Sequence, residues 1–255
     1  MGRPLKYRVI QGDCDDVLGK LPRAATIFAD PPDGINLGYD LFNDRWATDR
    51  AYSAWLSALT CRWTEHAETV WVSYNAKHDV LFKHALVESV LNRHPEIEIK
   101  PFVQMFTFGQ YRAEDCANNH RPLVRLRWPK SPLFPRAIKV PSWRELNGDK
   151  RAKKGGRVPG DVWDFPRVTG NSKQRREWHP TQLNELLVER AIKLTTPPDG
   201  LVLDLFSGTG TTLRVCKRLG IACTAVELSG NYCRRIAREN DVSLWKFSRG
   251  KIVRA

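Results

Sequence analysis

Leu201-Val202-Leu203-Asp204-Leu205-Phe206-Ser207-Gly208-Thr209-Gly210-Thr211-Thr212 is the stretch that decides the architecture. Its apolar first half reads as a buried parallel strand. It runs straight into a glycine loop, and Thr211 to Leu219 then shows helical spacing. Strand, glycine loop, helix is the topology of a nucleotide-type site at the carboxyl edge of a sheet. Gly208 and Gly210 let the backbone turn tightly and approach a ligand closely. No lysine follows, so this is not a phosphate loop, and the third glycine of the dinucleotide fingerprint is missing.

Working outward, Ile221 to Val226 is the next strand and ends at Glu227, seventeen residues after Gly210. An acid there is positioned for ribose hydroxyls. A loop without a phosphate-binding lysine, followed by a ribose acid, suits S-adenosyl-L-methionine. The expected contacts are Asp204, Phe206, Ser207, Gly208, Thr209, Gly210, Thr211, Thr212, Glu227 and Leu228. Asn184–Thr195 and Asn231–Asn240 read as helices.

The N-terminal half repeats the alternation. Tyr7–Gln11 leans towards strand and Asp13–Leu21 towards helix. Ala25–Ala29 is a short apolar run that stops at Asp30, as a buried strand with a functional residue at its carboxyl end does. Ala51–Trp63 reads as helix, Thr69–Tyr74 as strand and Ala76–Asn92 as helix. Phe102–Phe108 and Leu123–Trp128 read as two antiparallel edge strands. Strand and helix alternate at both ends, which predicts a doubly wound α/β sheet, mostly parallel, with an antiparallel edge hairpin.

Asp30-Pro31-Pro32-Asp33 carries the second piece of chemistry. Exocyclic amines of adenine and cytosine are poor nucleophiles, because the lone pair is delocalised into the ring. A carboxylate and a main-chain carbonyl that accept both N–H groups favour a pyramidal nitrogen. Asp30 supplies the carboxylate and Pro31 the carbonyl in this reading. The two prolines fix φ and remove competing donors, which preorganises the acceptors.

The chain has 255 residues, 42% of them hydrophobic, which suits one domain with a sizeable insertion. Net charge is +13, an excess that points to a polyanionic partner. From Arg136 to Arg176 twelve Lys/Arg face four Asp/Glu, a net of +8, amid recurring Pro and Gly. That composition predicts a basic insertion or mobile arm without a regular core. Residues 129–170 are accordingly read as an insertion between two parts of a catalytic domain, 1–128 and 171–255. Lys150, Arg151, Lys153, Lys154 and Arg157 are its candidate phosphate contacts, with Lys173, Arg175 and Arg176 as a second basic patch. The six cysteines never fall at CxxC spacing, so no metal site is predicted, and they read as reduced thiols of a cytoplasmic protein. No signal peptide is visible, and no apolar run approaches the roughly eighteen residues that would span a bilayer.

The order of these motifs resembles the permuted, β-class DNA amino-methyltransferases, which place Asp-Pro-Pro-aromatic before the cofactor loop. The resemblance implies a Rossmann-like methyltransferase sheet, DNA as partner, a prokaryotic or phage setting, and a homodimer that the residues themselves do not show. It implies cofactor roles for Asp13 and Cys14 of Gly12-Asp13-Cys14, and for His179, Thr181 and Gln182 of His179-Pro180-Thr181-Gln182. Asp30 joins that set. Where the family carries Tyr, Phe or Trp to stack on the flipped base, this chain has Asp33, which cannot stack and whose charge would repel phosphates. Tyr39, Phe42, Trp46 and His120 are the candidate replacement rings.

The expected reaction is methyl transfer to adenine N6 in DNA, with cytosine N4 the close alternative. An RNA-base or protein-glutamine methyltransferase calls less for so basic an insertion. From a different class, a catalytically silent DNA-binding relative would explain Asp33.

Overall fold

The alternation of short apolar runs with amphipathic ones folds as an α/β sandwich. The computed structural model describes residues 6–106 and 113–255. The N-terminal part supplies β1 (Tyr7–Gln11), α1 (Cys14–Leu18), β2 (Ala24–Ala29), α2 (Asp49–His66), β3 (Ala67–Ser73), α3 (Asp79–Leu86), β4 (Glu98–Met105) and β5 (His120–Arg127). The middle supplies α4 (Trp143–Leu146) and β6 (Val162–Asp164). The C-terminal part supplies α5 (Glu185–Thr195), β7 (Leu201–Asp204), α6 (Thr211–Leu219), β8 (Ala222–Glu227), α7 (Gly230–Asn240), β9 (Ser243–Ser248) and β10 (Lys251–Arg254).

These strands form one sheet in the order β10-β9-β1-β8-β7-β2-β3-β5-β4-β6. The run from β9 to β3 is parallel throughout. Both faces are covered. Ile10, Ile27, Val70 and Leu203 point into one apolar cluster with α2 residues Leu56 and Trp63. Their neighbours Val9, Phe28, Trp71 and Val202 point into the other, with Leu187 of α5 and Leu213 of α6. Successive strand residues face opposite sides, so strands buried on both faces read as continuous hydrophobic runs.

Several expectations are corrected. The helix expected over Asp13–Leu21 shortens to α1, with Asp13 as its cap and Gly19 at its end. Ala76–Asn92 divides into a 3-10 turn, α3 and a π-type turn at Val87–Leu91. The β4–β5 pair is antiparallel but does not form the edge, because β6 adds to β4 in parallel. Residues 107 and 108 of the strand expected there lie outside the described residues. At the opposite edge, β9 and the antiparallel β10 had no counterpart in the sequence reading.

The basic segment also contributes to the core of the sheet. Ile138, Trp163 and Phe165 are buried, and the Trp163 ring packs 5.0 Å from Phe102 and 5.6 Å from Trp71. Gln104 Nε2 donates to the Phe165 carbonyl at 2.9 Å. A mobile arm is therefore not what these residues form: three large apolar side chains anchor the segment to the sheet and α5.

Candidate active site

β2 and β7 are adjacent and parallel, with Phe28 opposite Asp204. Their carboxyl ends therefore open on the same rim of the sheet, where ligands bind in doubly wound folds. A cavity with about 1140 Å³ of empty space, its open mouth included, lies there. Asp30 and Pro32 line it, together with Asp13, Cys14, His179, Thr181 and Gln182. Asp204, Phe206, Ser207, Gly208, Thr209, Thr211, Thr212, Glu227 and Leu228 complete the walls that sequence reading had named.

The glycine-loop wall is held by its own backbone. Asp204 Oδ1 accepts from Phe206 N at 3.2 Å, and Ser207 N donates to the Val226 carbonyl at 3.0 Å. The Glu227 carboxylate accepts from Gly208 N and from Ser229 N, each at 2.9 Å. Burial raises the pKa of both carboxyls, Asp204 to about 7 and Glu227 to about 7. Gly208 has φ +47°, and a Cβ there would lie 3.0 Å from His179 Nε2. Gly210, expected as a cofactor contact, is placed behind the wall. It starts α6 at φ +76°, a Cβ there would meet Ile236 at 2.8 Å, and it does not line the cavity.

His179 is buried, and burial lowers its pKa to about 4, so the imidazole is neutral. Its Nδ1–H donates to the Thr181 carbonyl at 2.6 Å. Tyr232 packs edge-on 4.9 Å away and Tyr39 lies at 5.8 Å, giving this wall an aromatic, uncharged face. Burial raises the pKa of the Cys14 thiol, which keeps it protonated. Gln182 is engaged on both ends, accepting from Arg176 N at 3.0 Å and donating to the Gln174 carbonyl at 2.7 Å.

The opposite wall is assembled from distant strands and helices. Asp30 Oδ1 accepts from Arg121 Nη2 at 2.7 Å, and Arg121 Nε donates to Ser73 Oγ at 2.6 Å. Burial raises the Asp30 pKa; the Arg121 charge opposes this and Asp33 adds to it. The Pro32 carbonyl accepts from Tyr52 Oη at 2.7 Å, while Pro31 is buried and does not line the cavity. Asp44 organises the following loop by accepting from the backbone N–H groups of Gly34, Ile35 and Leu37 at 2.9–3.1 Å.

Asp33 departs most from expectation. It is 6% exposed, it does not line the cavity, and its Oδ1 lies 2.9 Å from Arg121 Nη2. Its carbonyl is bonded by His78 Nε2 at 3.1 Å. A charge so buried and matched does not face phosphates, so the expected repulsion is withdrawn.

Of the four rings considered as stacking partners, Tyr39 and Phe42 line the cavity. Trp46 does not: it packs against Trp55 at 4.9 Å and Tyr52 at 5.5 Å in the apolar cluster. His120 opens β5 opposite Met105 and is also outside the cavity wall. Trp55, Asp40 and Tyr232 line the cavity and were missed. Arg121 was missed as well, since it is one of three arginines in β5 and nothing in the sequence sets it apart from Arg125 and Arg127.

The N6/N4 DNA methylase family model matches residues 24–239. The chain belongs to the N6/N4 DNA methylase family. Among curated relatives, the type II methyltransferase M.ScaI of Streptomyces caespitosus is 36% identical over 98 residues, covering 37% of this chain and 32% of that protein. The type II methyltransferase M.BglII of Bacillus subtilis is 36% identical over 133 residues, covering 49% and 37%. The chain thus spans about a third of the length of these relatives. Its fold is shared with the cytosine-N4-specific PvuII DNA methyltransferase at TM-score 0.65 and 15% identity, over 92% of this chain and 88% of that one. It is also shared with M1.HpyAVI, solved as a SAM complex, at TM-score 0.58 and 16% identity, over 91% and 99%.

The basic side chains of the chain are unequally engaged. Lys150, Lys153, Lys154 and Arg157 are exposed. Arg151 is exposed too, but it pairs with Asp149 at 2.9 Å. Their loop is tied down by Glu145, which accepts from Ser142 N at 2.6 Å and Gly156 N at 3.1 Å, and by the Val140–Arg157 bridge. In the second patch Lys173 and Arg175 lie at or near the surface, and Arg176 pairs with Glu239 at 2.8 Å. That pair ties Arg176 to α7. Among the described residues, no cluster of metal-ligating side chains occurs and no helix is long and apolar enough to cross a membrane.

Proposed function

We propose that this chain transfers a methyl group from S-adenosyl-L-methionine to an exocyclic amine of a DNA base, adenine N6 being the acceptor. The observation that carries the reading is that Asp30 and Gly208 border one cavity. The residues also fit the cofactor. Gly208 keeps open a gap that a Cβ would close against His179. Glu227 offers a carboxylate to ribose hydroxyls, with Leu228 beside it. His179, neutral and ringed by Tyr39 and Tyr232, does not repel a sulfonium. Asp13 and Cys14 serve the adenine end, and His179, Thr181 and Gln182 the methionine end. The cofactor supplies a methyl group activated by a positively charged sulfur.

Asp30 accepts one amine N–H. The Pro32 carbonyl is already bonded by Tyr52; the second acceptor in this reading is the Pro31 carbonyl, although Pro31 does not itself line the cavity. Together they aim the nitrogen lone pair and remove orientational freedom before reaction. As the nitrogen is alkylated it sheds a proton, and Asp30, its pKa raised by burial, is suited to receive it. The base must leave the helix stack to reach this cavity, at a cost of a few kcal/mol. Tyr39 and Phe42 then hold its face. Residues 129–170 serve as the target-recognition region, with Lys150, Lys153, Lys154 and Arg157 on phosphates and the flanking segments 1–128 and 171–255 as the catalytic domain.

The test is incubation with methyl-labelled cofactor and duplex DNA, followed by digestion to nucleosides. N6-methyladenine is the expected product. N4-methylcytosine would move the acceptor to cytosine, which presents the same pair of N–H donors. DNA binding without incorporation would make the chain a silent relative.

A further inference from the structure

Two buried carboxylates share one guanidinium beneath the acceptor wall. Arg121 Nη2 donates to Asp30 Oδ1 at 2.7 Å and also lies 2.9 Å from Asp33 Oδ1. The two contacts differ in kind. The Asp30 contact is an aligned hydrogen bond. The Asp33 contact is close but misaligned, and Asp33 Oδ1 has no hydrogen-bond donor among the described residues. A buried acceptor left unsatisfied is costly, so it normally has a reason to persist. Meanwhile Ser73 Oγ holds Arg121 by Nε, which acts as the pivot of the side chain.

This bears on how Asp30 works. A carboxylate oxygen already bonded to an arginine is a weak acceptor for an amine. Pulling the arginine away would leave an uncompensated buried cation, which is strongly unfavourable. Asp33 removes that obstacle. A small rotation about the Ser73 anchor would carry the Nη2 hydrogen from Asp30 to the Asp33 oxygen and leave the guanidinium paired throughout. Asp33 stands where the family carries a ring, and it does not line the cavity.

We propose that Arg121 and Asp33 form a transferable clamp on Asp30: Arg121 fixes the Asp30 carboxylate before substrate arrives, then passes to Asp33 as the base amine takes its place. The inference rests on the methylase reading. Both are positioning residues, since neither touches the transferred group. Burial by itself would lower the Arg121 pKa, but Asp33 and Asp30 raise it, so the clamp stays charged.

The experiment compares wild type, Asp33→Asn, Arg121→Gln, the double variant and Asp33→Glu, in methyl transfer to duplex DNA and in calorimetric cofactor binding. Asp33→Asn should lower kcat at least tenfold, while KM for DNA and Kd for cofactor change less than twofold. Asp33→Glu, which restores the charge, should recover most of kcat. Because Asp33 acts only through Arg121, the double variant should be no slower than Arg121→Gln alone. An unimpaired Asp33→Asn enzyme, a loss confined to KM, multiplicative losses in the double variant, or an Asp33→Asn protein that no longer binds cofactor would each overturn the clamp. If wild type transfers no methyl to DNA, the methylase reading itself falls and the clamp with it. If wild type is active and Asp33→Asn is normal, only the clamp falls.

Discussion

The two walls of the cavity are built by opposite strategies. The cofactor-side wall is a local structure. Strand β7, the glycine loop and α6 are contiguous, and their polar groups satisfy one another or the end of the next strand, as Gly208 N does with Glu227. The acceptor-side wall is assembled from afar. Asp30 ends β2, but Arg121 comes from β5, Ser73 from β3 and Tyr52 from α2. The lesson is that a glycine loop can be preorganised by its own backbone, whereas a carboxylate buried at a strand end needs partners that only the whole sheet can deliver. The two walls should therefore fail independently when altered.

The sharpest way to break that comparison is Asp30→Ala. Methyl transfer should fall by about 100–1000-fold, the range for losing a preorganised polar group at a reacting centre. Cofactor binding, measured by calorimetry, should be unchanged; a parallel loss of cofactor would mean that the walls are not separable. Next in size, Glu227→Gln should weaken cofactor binding about ten- to a hundredfold, as expected for losing hydrogen bonds to a charged acceptor. At saturating cofactor its kcat should stay near wild type, and a collapse of kcat would argue that Glu227 also serves the acceptor side.

A pH titration tests the same wall without a substitution. Burial raises Glu227 to about 7, so its ionised form predominates only above that pH. If the ionised form binds ribose hydroxyls, cofactor affinity should fall about tenfold between pH 8 and pH 6, and Glu227→Gln should flatten the profile. The sign for stability is the reverse. Glu227 and Asp204 titrate near 7 when folded, against ordinary values of 4.5 and 3.8. Their contribution to stability is therefore greatest at acid pH, declines as pH rises from about 4 to 7, and is level above that.

The smallest effect is expected in the basic loop, which belongs to neither wall. Changing Lys150, Lys153 and Lys154 to glutamine should weaken DNA binding and reduce the salt slope by up to about 0.9 for each phosphate that is no longer neutralised. Turnover at saturating DNA should persist. An unaltered slope would assign the phosphates to other cations.

How far each region could be read in advance follows from the same contrast. Helix α6 was legible to the residue, because glycines in the left-handed conformation bracket it at 210 and 220. Asp30 was legible because an apolar run stopped at it. Strand β6 was hidden: one buried tryptophan between exposed neighbours, in a basic Pro/Gly-rich stretch, carries no period to detect. β9 and β10 were missed for a related reason, since both are half-exposed and neither forms a continuous apolar run. Trp46 was misjudged because an aromatic in a polar loop looks the same whether it faces a ligand or folds inward onto Trp55.

The residue order alone settled the α/β class, the glycine loop after β7 with an acid at 227, and the place of Asp30 after β2, because each is a local pattern of hydrophobicity, glycine and charge. Tertiary structure alone decided that Asp33 faces a buried arginine instead of a base, that Gly210 packs against Ile236, and that Arg176 pairs with Glu239. Those outcomes depend on which side chains the sheet brings within a few ångströms of one another across long separations in the chain, and no local spacing encodes such a meeting.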